Sequence, residues 1–308
     1  MNDTLHPFHA GELAVQSRAG VQDSAWHTGQ MIRDQLFEAA QAFVEQQRLL
    51  LCASVDDHGN VWASLLQGPA GFVRAVDSHT LAITVDPVCN DMDDPLWRNV
   101  VATGRIGLLV IDLETRRRLR INGVAVQQAD KRMLVTVQAC YPNCPKYIQR
   151  RSHSTRWVSR AATAVHEGSR ISDAVAQMLT TADTLFVASA HPDQGADVSH
   201  RGGKPEFVQI IGDQSLRIPD YVGNNLFNTL GNFHAYPHVG LLVPDFAGGR
   251  LLQLIGKPTI EWDRDDPQHA TGGTRRYWTL QLARWRITSL PVYLEHRFVD
   301  YSPHLPAE

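Results

Sequence analysis

Apolar positions along this chain come in short runs separated by turn residues. The stretch from Leu49 to Val55 is nearly all apolar. It is followed by Asp56, Asp57, His58, Gly59 and Asn60, and then by a second run from Val61 to Leu66. Runs of this length, bounded by Asp, Asn and Gly, read as strands joined by a tight turn. The pattern goes on through a Gly- and Pro-containing turn at 68–71, then Phe72, Val73 and a third run from Leu81 to Ile83. The same order returns later in the chain: Thr184 to Ala190, a turn at 191–195, Ala196 to Arg201, a glycine pair, Phe207, Val208 and Leu216 to Ile218. Phe72 pairs with Phe207 and Leu81 with Leu216 at one constant separation. Farther on, GLLVID from Gly107 parallels GLLVPD from Gly240, and LRING ending at Gly123 parallels LQLIG ending at Gly256. The separation there is slightly smaller, as an insertion within 86–94 produces.

Ordered matches of this kind predict an internal duplication. Each repeat reads strand, turn, strand, Gly-rich turn, strand, short helix, hairpin. The short helix spans 94–103, with Asp94 as N-cap and Pro95 in the first helical position, and its counterpart spans 224–232. Two helices are predicted outside the repeats, at 30–47 and 172–180. Many short strands without a βαβ rhythm indicate antiparallel barrels and a mainly β fold with flanking helices, of the α+β class. The expected division is an arm and helix over 1–48, a first repeat over 49–150, a helical linker over 151–183 and a second repeat over 184–308. The boundary is expected in the polar, Arg- and Ser-rich stretch 150–170.

Composition narrows the class. The chain has 308 residues, a formal net charge of −3 and 20% charged residues, so its balance calls for neither nucleic acid nor an anionic membrane. No apolar stretch approaches the roughly 20 residues of a membrane-spanning helix. The opening Met1, Asn2, Asp3 and Thr4 lack the basic and apolar regions of a secretory signal. Cys52, Cys89, Cys140 and Cys144 lack metal-ligand spacing. A cytoplasmic protein with free thiols and no metal is expected.

The densest polar constellation is in the second repeat: Asp197, Ser199, His200, Arg201, Gly202 and Gly203. A glycine pair admits close backbone approach, and a hydroxyl with a guanidinium fork suits a phosphate. Gly223, Asn224 and Asn225 lead into the counterpart helix, whose N-terminus would favour an anion. The same residues also suit a plain turn and a helix cap. The first repeat has Leu65, Leu66, Gln67, Gly68 and Pro69 in place of the Ser-His-Arg-Gly-Gly element. It does carry the basic hairpin TRRRLR from Thr115, in which Arg116, Arg118 and Arg120 alternate onto one face and could meet an anion across an interface. A Pro-rich loop holds Cys140, Cys144, Lys146, Arg150 and Arg151, where Cys144 is either a reactive thiol or a spectator.

These stretches together resemble the pyridoxamine 5′-phosphate oxidase-like flavoproteins of the split-barrel superfamily, in a two-repeat form. The resemblance is carried by FHAGELAVQSRAGV from Phe8, WASLL from Trp62, TRRR from Thr115, NCPKYIQ from Asn143, the 197–203 element, Gly223 to Asn225, NTLGN from Asn228 and the terminal Tyr301 to Pro303. It implies two fused split β-barrels acting as a pseudo-dimer, with FMN at their interface. By resemblance the FMN contacts fall on Ser199, His200, Arg201, Gly202, Gly203, Asn224 and Asn225, with Arg118 and Arg120 on the opposite wall. One FMN per chain is expected, its phosphate on the second repeat. The family's phosphate-binding Ser-Arg-Lys element is replaced here by Val222 to Asn225, so the resemblance does not carry over a vitamin B6 substrate. The implied function is an FMN-dependent oxidoreductase with an NAD(P)H donor and an unidentified catalytic residue and substrate. The alternative is a flavin-binding electron-transfer partner of a separate reductase. A homodimer is a further expectation.

Overall fold

Alternation within the apolar runs decides which surface each side chain covers. In β1 (Leu49–Val55) Leu50 and Cys52 point into one cluster of buried residues, while Leu49, Leu51, Ala53 and Val55 point into another. Both faces are buried, which is why the run has no polar alternation. The computed structural model of the chain describes residues 7–128, 132–159 and 164–306. The opening residues read above for a signal, and residues 160–163 of the expected boundary stretch, lie outside these.

The first sheet contains β1, β2 (Val61–Gln67), β3 (Val73–Ala75), β4 (Thr80–Thr84), β5 (Arg105–Asp112), β6 (Arg117–Gln127) and β7 (Arg132–Asn143), in the order β2-β1-β5-β6-β7-β4-β3. Strand β8 (Arg150–Ser159) and the short strand β9 (His166–Gly168) follow. The second large sheet is built from β10 (Thr184–His191), β11 (Gly195–Gly202), β12 (Gln209–Gly212), β13 (Ser215–Pro219), β14 (Val239–Asp245), β15 (Arg250–Glu261) and β16 (Tyr277–Ser289), in the order β11-β10-β14-β15-β16-β13-β12, with β9 added beside β16. The two paths are identical strand for strand. In each, the terminal strands of the path are joined by chain and not by ladder hydrogen bonds, which is the split of the barrel.

Register confirms the duplication residue by residue. Leu51 faces Leu65 as Phe186 faces His200, and Arg120 faces Tyr141 as Gln253 faces Arg286. Both long hairpins shift register at the same place, between Asn122 and Gly123 and between Ile255 and Gly256. The expected pairs Phe72 with Phe207 and Gly123 with Gly256 occupy equivalent positions. Ser199 corresponds to Ser64, so His200 and Arg201 correspond to Leu65 and Leu66. The sequence alignment of this element had been one residue off.

The halves pack through the outward faces of β1, β2, β10 and β11. Phe186, Ala188, Ala196 and Val198 meet Leu51, Ala53, Ala63 and Leu109 in one shared apolar cluster. Two glycines make the approach possible. A Cβ on Gly107 would stand 2.6 Å from the Ala196 carbonyl oxygen, and a Cβ on Gly240 would stand 2.5 Å from that of Val61. The contacts are reciprocal, as a pseudo-two-fold axis requires. The final strand β17 (Val292–Asp300) pairs antiparallel with β8, tying the end of one half to the end of the other.

Among the described residues six helices flank the barrels: α1 (Ala10–Ala19), α2 (Gln22–Gly29), α3 (Glu38–Gln46), α4 (Pro95–Thr103), α5 (Asp173–Thr181) and α6 (Asn228–Ala235). Asp94 caps α4 by accepting from the Leu96 amide at 2.8 Å, as its sequence position predicts. The single helix expected over 30–47 is not formed. Arg33 leaves helical geometry to exchange backbone hydrogen bonds with Cys140, and helix resumes only at Glu38. Among the described residues of 151–183, helix is confined to α5, and β8 and β9 take 150–159 and 166–168 into sheets.

Candidate functional site

The outer ends of β6 and β11, the loop after β7 and the loop before α6 converge on a cleft between the halves. It encloses about 850 Å³ of space, open solvent at its mouth included. Four of the predicted residues lie on β11: Ser199, His200, Arg201 and Gly202. Asn224 and Asn225 come from the loop between β13 and α6, and Arg118 and Arg120 from β6; all eight line the cleft. Alternation places Arg118 and Arg120 on one face of their strand. Arg116 does not join them: it lies in the turn, where its guanidinium donates to the Ile148 carbonyl at 2.9 Å and pairs with Asp300.

His200 is 3% exposed, and neither ring nitrogen has a hydrogen-bond partner. Its ring meets Phe186 edge-on at 5.6 Å. Burial, followed by the nearby Arg118, Arg201 and Arg151 charges, drives its pKa well below the ordinary histidine value, so the imidazole is neutral. Arg201 donates to the His200 carbonyl at 3.1 Å and stands 3.7 Å from Asp220, while its Nε is unpartnered. Asp220 is itself held by Arg276 at 2.7 Å. Arg118 donates to the Cys144 carbonyl at 2.9 Å and reaches its sulfur at 3.7 Å. Burial brings the Arg118 pKa down to about 10. The cleft therefore gathers positive charge in excess of its carboxylates.

Other predicted residues are engaged within the protein. Arg120 pairs with Asp197 at 2.7 Å and donates to the Val198 carbonyl, Tyr141, Asn228 and Ser199. Its fork fastens the first barrel to the second and leaves little capacity for an incoming anion. Gly202 is required by packing, since a Cβ there would strike the Tyr147 carbonyl oxygen. Gly203 lies off the cleft lining; its amide donates to Asp183 and its carbonyl accepts from Gln149. Asn224 and Asn225 do not cap the helix. Asn224 donates to Asn143 at 3.0 Å, Asn225 to Ser24 at 3.0 Å, and α6 starts at Asn228 with Phe227 as an N-cap residue that makes no side-chain cap bond.

The cleft also contains residues the sequence reading did not select: Asp220, Tyr221, Asn228 and Thr229. Tyr147 and Tyr221 pack against each other across the halves, tilted by 40° with ring centres 4.8 Å apart, and Tyr147 donates to the Val222 carbonyl at 2.9 Å. Tyr147, Asn225 and Phe227 all have left-handed backbone, with φ of 68°, 64° and 60°. Such strain concentrates where a site is built. Asn228 accepts from Arg120 as Asp94 accepts from Gln253, so the repeat itself was the available signal.

The pseudo-symmetric position in the first half is filled. Gln253 stands for Arg120 and donates to the Ala63 carbonyl and to Asp94, each at 2.9 Å; Arg286 stands for Tyr141 and donates to Gln253 at 3.2 Å. Leu65 and Leu66 replace His200 and Arg201. Gln67 replaces Gly202, and its side chain bonds Cys89, Val292 and Leu294.

Residues 36–167 match the family model described as pyridoxamine 5′-phosphate oxidase. Among solved structures, HupZ of Group A Streptococcus is 17% identical and aligns over 35% of this chain and 93% of its own, with a TM-score of 0.28. A candidate pyridoxamine 5′-phosphate oxidase from Lactobacillus delbrueckii is 10% identical over 38% and 94%, with a TM-score of 0.32. HutZ, the heme storage protein of Vibrio cholerae, is 16% identical over 35% and 94%, with a TM-score of 0.25. No curated protein matches the chain. Among the described residues no helix is long and apolar enough to cross a membrane.

Proposed function

We propose a function for a chain that belongs to the pyridoxamine 5′-phosphate oxidase-like family: it binds FMN in the cleft between its halves and acts as an FMN-dependent oxidoreductase. One observation carries the reading. Arg118, His200 and Arg201 line one cleft, and the buried His200 ring nitrogens and Arg201 Nε have no hydrogen-bond partner within the protein. A buried polar group without a partner costs about 1–3 kcal/mol, which folding alone does not justify. A phosphate-bearing, planar ligand would satisfy those groups.

In this reading Arg201 and Arg118 neutralise the phosphate, and Arg201 supplies the unpartnered Nε–H. His200, held neutral, donates one N–H and accepts at its other nitrogen. Ser199 and Arg120 hold the wall between the halves and fix the spacing of the two cations. Tyr147 and Tyr221 close the side of the cleft with aromatic surface and limit water. The flavin supplies the hydride and electron chemistry when bound. The departure at Val222 to Asn225 argues against a vitamin B6 substrate, and the substrate class stays open.

The purified protein should show a flavin absorbance spectrum or acquire one on titration with FMN. A colourless protein that ignores FMN, or one that carries heme, would overturn the reading. Anaerobic addition of NADH or NADPH should then bleach the flavin. Bleaching only after addition of a separate reductase would make the chain an electron-transfer partner.

A further inference from the structure

We propose that Glu12 is a proton-binding site coupled to the interface cleft, taking up a proton when an anionic ligand enters beyond Arg120. The proposal rests on the flavin reading and adds a regulation of that same site. Glu12 lies in the first turn of α1 and is 4% exposed. Its carboxylate accepts from the Asn228 amide nitrogen at 2.5 Å and from the His9 backbone at 3.0 Å. Asn228 in turn accepts from Arg120 at 2.9 Å through its amide oxygen. Caught between a guanidinium and a carboxylate, this amide has one orientation only, oxygen toward Arg120 and nitrogen toward Glu12.

Two clefts meet at this relay. Arg120 and Asn228 line the interface cleft, whereas Glu12 and Asn228 line a second one with His9, Asn122, Gln194 and Asp197. Glu12 thus has a route to water on one side while its relay touches the ligand cleft on the other. The groups facing it can be named element by element. α1 presents His9 at its cap, and His9 packs ring to ring at 4.3 Å against His191 at the end of β10. β6 presents Arg120, β7 presents Tyr141, β11 presents Asp197, and α6 presents the neutral Asn228 and Asn232.

Arg120 is already matched by Asp197, so an ionised Glu12 has beside it only His9, 3.5 Å away and neutral with its pKa lowered to about 4. Burial, with Asp197 adding to it, lifts its pKa to about 7. Negative charge brought to the other face of Arg120 withdraws part of the guanidinium's field from Glu12 and raises its proton affinity further. By linkage, protonation of Glu12 strengthens anion binding by the same factor. The step is a single protonation: the carboxylate gains one O–H bond, with the proton delivered from water in the second cleft.

The test is calorimetric titration of FMN into wild type and Glu12→Gln, in buffers of different ionisation enthalpy. At pH 7 wild type should take up more protons per FMN than the variant, by up to about half a proton, and the excess should vanish near pH 5 and pH 9. Equal proton counts in two proteins that both bind FMN would overturn the proposal. Failure of wild type to bind FMN would instead overturn the flavin reading on which it rests. Should Glu12→Gln not fold, infrared difference spectra of wild type labelled at glutamate serve in its place. They should gain a protonated-carboxyl band when FMN binds at neutral pH, and absence of that band would overturn the proposal.

Discussion

Arg201 on β11 and Arg120 on β6 have the same side chain and line the same cleft, yet their surroundings give them opposite uses. Arg120 has an ion-pair partner and four hydrogen-bond acceptors, while Arg201 keeps an unpartnered Nε beside the cleft. Arg201→Ala should therefore weaken FMN binding by about ten- to a hundredfold, roughly 1.5–3 kcal/mol, with the fold intact. Arg201→Lys should rescue only part, because the planar fork is lost; flavin fluorescence titration reads both, and unchanged affinity would contradict the assignment. Glu12 and His9 make a second residue-scale prediction. Burial raises the Glu12 pKa from 4.5 to about 7, so its stabilising contribution is full below pH 4.5 and fades as the pH rises to 7. Burial, with His191 beside it, lowers the His9 pKa from 6.5 to about 4, so its contribution is full above pH 6.5 and fades as the pH falls to 4. Between about pH 4.5 and 6.5 the two slopes oppose each other. Denaturant midpoints of Glu12→Gln should rise across that window while wild type stays flatter; a flat variant profile would refute the pairing.

At the scale of elements, α1 is held to α6 by a close crossing of glycines. A Cβ on Gly231 would stand 2.7 Å from the Glu12 backbone nitrogen, and neither helix can yield without losing the Glu12–Asn228 and His9–Asn232 bonds. Gly231→Ala should cost about 1–3 kcal/mol and expose α1 to limited proteolysis before either barrel is cut. Cleavage as slow as in wild type would show that the crossing adapts. Helix α1 carries no periodic signal in the sequence, because its apolar positions form no clear face: polar Glu12 and Gln16 are buried along with Val15. The helix read over 30–47 failed for a related reason. Its apolar spacing is helical, but the Arg33–Cys140 bridge overrides local preference.

At the scale of the whole molecule, duplication has produced two equivalent positions and filled one of them. An FMN phosphate in the first-half position would face Leu65, Leu66 and a Gln67 side chain already bonded three times. Burying a charge there without partners is prohibitive. Fully loaded protein should release close to one FMN per chain on denaturation; a ratio near two would show that the first-half position opens. Gly107 and Gly240 test the pseudo-symmetry itself. Alanine at either should destabilise the chain by a similar amount, about 1–3 kcal/mol, because each abuts the backbone of the opposite half. A large cost at one and none at the other would mean that the interface is not shared equally.

The order of strands, the duplication and the turn chemistry were legible in the sequence because they depend on local alternation and on residue types that repeat at a fixed spacing. That Arg118 shares a cleft with Ser199, His200 and Arg201 was implied by the family resemblance and not by local spacing. What the sequence did not determine is which of these groups have partners. Arg118 and Arg120 look alike as alternate residues of a basic strand, and only docking of the second barrel gives Arg120 its Asp197 and leaves Arg118 facing the cleft. Gly202 suits an anion cradle by residue type, but the Tyr147 carbonyl of the first half's loop occupies the space beside it. The physical reason is the same in each case: local preference is set by near neighbours in the chain, whereas desolvation and pairing of charge are set by contacts between segments far apart in sequence, which exist only once the two barrels meet.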